Sequence, residues 1–408
     1  MKSTHHCRSA RAAMSAMRAS AAYVLLLAAF ITGPAVPGAV AATTQGVTDA
    51  EILIGTITDL SGVTAVQGVN SANAIRLIFD EANAKGGING RKIRYIVEDH
   101  QYQVPRAVQA FNKLINSDRV FMTIQDGGTP MNNATFPMAL EKGLLKLLPL
   151  SAARSMFEPF NRLKFSQFSS YVDQMRAGVK YFVERRGKNA VCAMYQDTDF
   201  GKDVLAGATL QLGAMGKTIT ATTAHKPTDI DFTAAVSRLR DAKCDLIVLG
   251  TIVRDTTLII STVRKSGWNV DLVGQLASYD TAVAEAPGNV AEGFYSMTPS
   301  FYAYPDDPRP DVHAVTSKYK ERYGIDINYI GESGYMAAEI ALEALRRAGR
   351  DLTTDSLVTG MESIKNFHGT FGGTYTFGPD KHQGATEAFL AVVKNGRWVP
   401  VVDEPLSY

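Results

Sequence analysis

The chain has 408 residues, of which 46% are hydrophobic and 20% charged, and its formal net charge is +2. This near-neutral balance gives no indication of binding to nucleic acid or to an anionic membrane surface. About 365 residues follow the N-terminal leader. That length exceeds the roughly 250 to 300 residues at which a single core stops growing, so two domains are expected.

Residues 1–41 have the composition and order of a secretory signal peptide. Four basic residues precede an uncharged apolar run at 21–31, and Ala39-Val40-Ala41 offers a small-residue cleavage site. The apolar run is shorter than the about 20 residues that a membrane-spanning helix requires. Cys7 lies before the run rather than at the cleavage site. The sequence therefore predicts a periplasmic protein without a lipid anchor.

The remaining cysteines and histidines do not indicate a metal or a catalytic site. Cys192 and Cys244 are too few for a disulfide scaffold or a cysteine-based zinc site. Two buried thiols are favoured over a single disulfide, which stays open as an alternative. The five histidines after the leader lack the close spacing of metal ligands. No catalytic residue, metal or cofactor is predicted.

Strand-like and helix-like segments alternate in the first half of the chain. A β-branched strand at 52–58 is followed by a helix at 72–84, in which the apolar residues keep the spacing of one helical face. The same unit recurs as strand 92–97, helix 106–115, strand 120–124, helix 133–142 and strand 144–148. This order predicts an α/β domain built on a parallel sheet.

A second series of the same kind follows. Helices are predicted at 174–185, 204–212, 232–240 and 256–265, and strands at 190–195, 218–222, 245–249 and 272–274. The tail from residue 310 holds three further helical stretches and a Gly-rich strand region at 369–377, which is too little for a third domain. The tail is therefore expected to complete the first two.

Three loops of the first domain follow strands and carry small or hydroxylic residues. They are Ser61-Gly62, Gly127-Gly128-Thr129 and Ser151-Ala152-Ala153. The carboxyl ends of parallel strands form the usual ligand crevice of such sheets, and backbone N–H groups there favour anions. Together the loops predict a cradle for a carboxylate.

Residues 51–401 resemble the periplasmic solute-binding proteins of the branched-chain amino acid type, which serve ABC importers. The resemblance rests on Asp59-Leu60-Ser61-Gly62, on the run from Asp80 to Gly90 (DEANAKGGING), and on Val97-Glu98-Asp99. Further matches are Ala291-Glu292-Gly293-Phe294 and Phe377-Gly378-Pro379.

The resemblance implies two lobes, each a parallel-sheet α/β sandwich, joined by three hinge crossovers around a cleft. Lobe 1 is expected to comprise residues 47–167 and 299–376, and lobe 2 residues 168–298 and 377–405. The crossovers are expected near 166–170, 296–300 and 375–378. The two cysteines of the leucine-type first lobe are replaced here by Tyr102 and Gly128.

The family's ligand residues are carried over position by position. Thr129 falls where the family has the serine that holds the ligand carboxylate, and Ser151, Ala152 and Ala153 fall on the second carboxylate loop. Amino-acid binders also place an acidic residue after Gly274 to meet the ammonium group. Here Gln275 and Leu276 stand in that region, so a carboxylate without an α-ammonium group is favoured as the ligand.

Other positions expected to contact the ligand are more apolar than in leucine binders. Gln67 stands where many relatives have a tyrosine, Phe200 where they have tyrosine or phenylalanine, and Ile252 where the leucine binder has a tyrosine. Tyr171 or Tyr295 is expected to pack on a ligand ring. Ser61 completes the predicted contact set.

The function expected from the resemblance is a monomeric receptor that captures an aromatic or aliphatic acid and docks transiently on an ABC permease in the inner membrane. Three alternatives stay open. The first is an amino acid or amide binder of the same fold. The second is a sensory subunit. The third is a secreted hydrolase, for which no set of nucleophile, base and oxyanion donors was found.

Overall fold

The first sheet has five strands, all parallel, in the order β2-β1-β3-β4-β5. In the computed structural model, which describes residues 44–408, its elements occur in chain order as follows: β1 Glu51–Thr58, α1 Ala65–Ala84, β2 Lys92–Asp99, α2 Val104–Asn112, β3 Met122–Ile124, α3 Thr129–Glu141, β4 Leu145–Leu147 and β5 Lys164–Phe165. The predicted signal peptide lies outside the described residues.

The second sheet has seven strands in the order β14-β13-β10-β9-β8-β6-β7. Its first elements in the chain are α4 Tyr171–Arg186, β6 Val191–Gln196, α5 Asp199–Ala214, β7 Thr222–His225, α6 Thr233–Asp241, β8 Leu246–Gly250, α7 Val253–Lys265, β9 Asp271–Gly274, α8 Thr281–Ala284 and β10 Tyr295–Thr298. Strands β6 to β10 run parallel to one another.

The C-terminal tail adds two strands to the second sheet, a separate two-stranded sheet of β11 and β12, and three helices. They are α9 Pro310–Tyr323, α10 Tyr329–Ala348, α11 Thr354–Glu362, β11 Phe367–His368, β12 Thr374–Tyr375, β13 Phe389–Lys394 and β14 Arg397–Pro400. Helix α10 packs against α1 in lobe 1. Strand β13 pairs antiparallel with β10, so the second sheet is mixed rather than wholly parallel.

Local sequence signals account for the ends of several helices. Ser170 caps α4 by accepting a hydrogen bond from the N–H of Asp173, and Gly187 ends the helix with a φ of 69°. The side chain of Asn328 caps α10 by accepting from the N–H of Gly331. Such caps satisfy backbone groups that a helix cannot satisfy internally.

Several predicted boundaries were wrong. Helices α1 and α5 begin at Ala65 and Asp199 rather than at residues 72 and 204. The strand predicted at 218–222 is observed at Thr222–His225 as β7. It pairs with β6 only from Thr222 onward, and the residues before Thr222 are largely exposed. Helix α3 begins at Thr129 rather than at residue 133, with Pro130 at a position where its missing N–H costs nothing.

Buried residues indicate where the chain passes between the two cores. Phe165 packs in a cluster made up mainly of first-lobe residues, and Phe168 packs in one made up mainly of second-lobe residues. Met297 belongs to the latter cluster, whereas Ala303 and Ala385 belong to the former. The bounds of the lobes and the positions of the crossovers stay predictions.

Cys192 and Cys244 form a disulfide, so the favoured prediction of two free thiols was wrong. Cys192 is in β6 and Cys244 immediately precedes β8, and these strands are neighbours in the second sheet. Among residues 44–408, no helix combines the length and apolarity that a membrane crossing requires.

Candidate functional site

A cavity lies between the two lobes and is partly open to solvent. Its first-lobe wall comes from the loops that follow β1 to β4 and from α1, and its second-lobe wall from the residues that follow β6, β8 and β9. Tyr171 of α4 and Ile330 of α10 complete it. Both sets of loops lie at the carboxyl ends of parallel strands, which is the usual crevice of such sheets.

Asp59 is the one acidic residue among those that line the cavity. One carboxylate oxygen accepts the N–H groups of Ser61 and Gly62, and the other accepts the N–H and the hydroxyl of Thr64, both at 2.8 Å. A carboxylate offers about four acceptor sites, and four donors already occupy them. Asp59 shapes the loop and has little remaining capacity to bind a cation.

His100 lines the same wall and is uncharged. Its Nδ1 accepts the N–H of Tyr102 at 3.0 Å, which leaves Nε2 to donate to the carbonyl oxygen of Gly127 at 3.1 Å. Burial lowers the pKa of His100. The residues on the cavity wall include no lysine or arginine, so the wall carries no positive side chain.

Hydrogen-bond donors concentrate at Gly128, Thr129 and Ser151. Gly128 has a φ of 82°, and a Cβ atom there would lie 3.1 Å from the sulfur of Met131, so the position requires glycine. Thr129 is the first residue of α3, where backbone N–H groups have no partner within the helix. Its hydroxyl lies 2.7 Å from that of Ser151.

A buried ion pair supports this loop from behind. The ammonium group of Lys146 lies 2.8 Å from Asp126, and it donates to the hydroxyl of Thr135 at 2.7 Å. Asp126 also accepts the N–H of Ile57 at 2.9 Å. Burial lowers the pKa of Lys146, and the nearby carboxylate opposes that shift. Through Asp126, which directly precedes Gly127, the ion pair connects the loop to β1, β4 and α3.

The second-lobe wall is apolar. Phe200, Ile252 and Leu276 are each no more than 3% exposed and line the cavity. The ring of Tyr171 packs edge-on against Phe200, with ring centroids 5.1 Å apart. The cavity therefore has polar donors on one side and an apolar surface on the other, an arrangement common in small-molecule sites.

Hydrogen bonds between the lobes surround the cavity. Tyr102 donates to Gln196 at 3.1 Å, and Asn133 donates to Asp199 at 2.8 Å. The N–H of Arg154 donates to Asp203 at 3.0 Å. Gln67 donates to the carbonyl oxygen of Ala277 at 3.3 Å, and Asn328 donates to Asp280 at 3.0 Å. The lobes are thus in contact on several sides of the cavity, which is a closed arrangement.

The structure brings six of the eleven predicted contact residues to the cavity wall: Gln67, Gly128, Thr129, Phe200, Ile252 and Leu276. Ser151 stands directly behind the wall, where it contacts Thr129 and accepts the N–H of Ala153 at 3.2 Å. Their contact with a ligand stays a prediction.

The other four predicted residues lie away from the cavity. The hydroxyl of Ser61 is exposed and donates to Asp99 at 2.6 Å, because the Asp59 carboxylate turns this loop outward. Both ends of the Gln275 amide are used within lobe 2, on the carbonyl oxygen of Thr251 and the N–H of Ala277.

Ala152 and Ala153 belong to the hydrophobic core and not to the cavity wall. Tyr295, one of two tyrosines considered for ring packing, lies elsewhere in lobe 2 and packs against Phe182 with ring centroids 5.1 Å apart. Tyr171, the other one, lines the cavity.

Sequence reasoning missed His100, Tyr102 and Leu150 as wall residues. His100 and Tyr102 follow β2 directly, and Leu150 follows β4, so the rule about strand ends could have found all three. Their side chains are not the small hydroxylic type that was sought for a carboxylate cradle. Within residues 44–408, no group of three or more His, Cys, Asp or Glu side chains could hold a metal ion.

Known proteins resemble the chain in sequence and fold. The Leu/Ile/Val-binding protein BraC3 of Rhizobium johnstonii is 22% identical over 326 residues, which cover 79% of this chain and 86% of that protein. A fatty acid ABC transporter substrate-binding protein from Thermomonospora curvata has a TM-score of 0.80 at 24% identity, covering 90% of this chain and 94% of that one.

A branched-chain amino acid ABC transporter protein from Thermus thermophilus with bound valine has a TM-score of 0.80 at 21% identity, over 89% of this chain and 98% of that one. The fold is therefore that of the type I periplasmic binding proteins. The model of the periplasmic binding protein family matches residues 51–397. The chain belongs to this family.

Proposed function

We propose that this chain is the receptor of an ABC importer and that its ligand is a carboxylic acid with an apolar body and no α-ammonium group. The cavity wall supports this assignment through its distribution of polar groups. Donors lie on the first-lobe side around Thr129, whereas Phe200, Ile252 and Leu276 form the opposite side. The acid would be held at its carboxylate and covered by the apolar wall as the lobes close.

The carboxylate would be received by the start of α3. The backbone N–H of Thr129 is free of an intrahelical partner, and the positive end of the helix dipole favours an anion. Ser151 accepts the N–H of Ala153, and if its own proton goes to the oxygen of Thr129, the hydroxyl proton of Thr129 is free for the ligand. No charged side chain is needed for this mode of binding.

One observation carries the exclusion of an α-amino acid: the cavity wall offers no available carboxylate. Leu276 occupies the position at which amino-acid binders are expected to place an acid, and the only wall acid, Asp59, is saturated by four donors. An ammonium group enclosed here would lack the charge-assisted hydrogen bond that is worth about 1.5 to 3 kcal/mol. It would also be a buried cation without a partner.

Isothermal titration calorimetry with benzoate, octanoate and valine tests the proposal. At neutral pH we expect at least one of the two acids to bind with an affinity in the micromolar range or tighter, and valine to show no measurable heat of binding. Tight binding of valine, or no binding of either acid, would contradict the assignment.

The Leu276→Glu variant sharpens the same experiment. A carboxylate placed on the apolar wall would repel the anionic ligand and remain unpaired when the lobes close, so the acids should bind at least tenfold more weakly. Leu276→Met is the matched control, because it keeps the wall apolar at similar volume and should retain most of the affinity.

In the cell, the proposed receptor would reach the periplasm through removal of residues 1–41, act as a monomer and dock its closed form on a permease. Deletion of the gene should abolish uptake of the acid identified by calorimetry. Normal uptake in the deletion strain, together with intact binding by the purified protein, would instead favour a sensory role.

A further inference from the structure

Asp280 is a carboxyl group buried at the contact between the lobes. It follows β9 in lobe 2, and its relative exposure is 0%. One oxygen caps the short helix α8 by accepting the N–H of Ala282 at 2.9 Å. The other accepts the side-chain amide of Asn328, which belongs to lobe 1, at 3.0 Å. Opening the cleft at this point would break the contact with Asn328.

The same carboxyl group lies beside a contact of the cavity wall. Gln67 lines the cavity from lobe 1 and donates to the carbonyl oxygen of Ala277, which precedes Asp280 by three residues in lobe 2. Asn328 is itself fixed, since its side-chain oxygen accepts the N–H of Gly331 at the start of α10. Asp280 thus contacts a lobe 1 amide at a helix terminus, next to the contact between Gln67 and Ala277.

Among residues 44–408, no cation pairs with Asp280. Its cross-lobe partner Asn328 offers a neutral amide, and the indole N–H of Trp398 donates to its backbone oxygen at 2.9 Å. Glu285, which follows α8, adds a repulsive charge. On the neighbouring β14, Arg397 is paired with Asp306 at 2.7 and 2.9 Å.

The remaining titratable groups around Asp280 are acidic or phenolic. Glu332 lies one turn beyond Asn328 on α10 and is itself fully buried. The phenol of Tyr279 is a neutral group, and its ring packs against that of Tyr329, with ring centroids 4.8 Å apart. Closure of the lobes therefore moves the Asp280 carboxyl out of water into a site that favours its neutral form.

We propose that Asp280 is a positioning residue of the ligand site: it holds Asn328 in the closed arrangement, and its protonation favours closure over the ligand. This inference rests on the proposed function insofar as closure is what retains the ligand. It differs from the wall contacts because Asp280 acts through Asn328 and is not among the residues that line the cavity.

The sign of the pH dependence follows from the burial. Desolvation raises the pKa of Asp280 from 3.8 to about 6 in the closed form. An acid whose pKa is higher in the closed form binds its proton more tightly there, so closure is most favourable at low pH and loses stability as the pH rises towards 6. For a shift of this size, ligand affinity at pH 8 should be about tenfold weaker than at pH 5.

The experiment combines calorimetry and small-angle X-ray scattering at pH 5 and pH 8, with benzoate and octanoate as probes. For the wild type we expect affinity to fall about tenfold over this range. Asp280→Asn, which can still cap α8, should show a nearly constant affinity. Asp241→Asn is the matched control, because Asp241 is an exposed carboxylate of lobe 2 at the end of α6, and it should behave as the wild type.

Scattering from the ligand-free protein tests the inference without any probe. The radius of gyration of the wild type should be larger at pH 8 than at pH 5, and that of Asp280→Asn should not change with pH. Asp280→Ser provides a second variant that retains a capping side chain but cannot reach Asn328, should Asp280→Asn fold poorly.

The two proposals fail in different ways. If neither acid binds the wild type at either pH, the proposed ligand class is wrong, while the scattering still decides whether Asp280 controls closure. If an acid binds but wild type and Asp280→Asn share one pH profile in calorimetry and in scattering, the role of Asp280 is overturned and the ligand proposal stands.

Discussion

Single residues decide what the cavity can bind. Thr129 lines the first-lobe side of the cavity and contributes a hydroxyl group beside a helix terminus. Leu276 lines the second-lobe side and contributes an aliphatic side chain. Neither carries a charge. The selectivity expected for an acid over an amino acid arises from free donors on one side and from the lack of a free carboxylate on the other.

Replacing the Thr129 hydroxyl by a methyl group tests its role in ligand binding. Thr129→Val keeps the shape but loses a hydrogen bond to a charged group, worth about 1.5 to 3 kcal/mol, so the affinity for the bound acid should fall roughly 10- to 100-fold. Calorimetry provides the measurement.

Ser61→Ala is the control for Thr129→Val, because the Ser61 hydroxyl is exposed and bonded to Asp99. Its affinity should remain within about twofold of the wild type, as expected for a surface change. Equal losses in the two variants would mean that the carboxylate does not sit at the start of α3.

At the scale of elements, the paired strands β6 and β8 are linked covalently. The Cys192–Cys244 disulfide closes a segment with a sequence separation of 52 residues. Constraining an unfolded loop of this length stabilises a protein by about 4 kcal/mol in the chain-entropy treatment. Both half-cystines are buried, so the bridge is a structural feature of the lobe 2 core.

Replacing both cysteines by alanine should lower the free energy of unfolding by about 2 to 4 kcal/mol. The midpoint of urea-induced unfolding, followed by circular dichroism, measures the loss. Affinity for the ligand acid should stay close to that of the wild type, because neither cysteine lines the cavity. An unchanged midpoint would show that the bridge adds nothing to the stability of lobe 2.

Elements were predictable to different degrees. The βαβ alternation located most strands of both sheets, because buried parallel strands are continuous apolar runs. Strand β7 was predicted too early in the chain, because the exposed residues before it show the alternating pattern of a strand. The antiparallel strands β13 and β14 were not distinguished as separate strands within the C-terminal tail. Their pairing depends on β10, which lies about 90 residues earlier in the chain.

For the whole molecule, binding between the lobes links ligand affinity to global stability. A ligand that binds only the folded, closed protein stabilises it by about 2.7 kcal/mol at one hundred times its dissociation constant. Differential scanning calorimetry with saturating octanoate or benzoate should show a higher Tm for whichever acid binds.

The Thr129→Val variant supplies the comparison for the thermal experiment. At the same ligand concentration its Tm should rise less than that of the wild type, because its affinity is lower. A Tm increase of equal size in both proteins would place the stabilising ligand somewhere other than this cavity.

The sequence by itself determined the class of the protein and much of its architecture. The alternation of strand and helix patterns indicated two α/β units, and the resemblance carried by the runs around Asp59 and Gly86 implied Thr129, Phe200 and Leu276 as ligand contacts. The family match over residues 51–397 agrees with that reading.

Only the tertiary structure decided the directions of side chains and the contacts between distant segments. The Asp59 carboxylate accepts the N–H of Ser61, whose hydroxyl donates to Asp99 away from the cavity, and the Gln275 amide is used within lobe 2 on Thr251 and Ala277. The disulfide and the contact between Asp280 and Asn328 join residues separated by about 50 positions. Local patterns report which residues are buried, whereas the partners of a buried polar group depend on how the lobes pack.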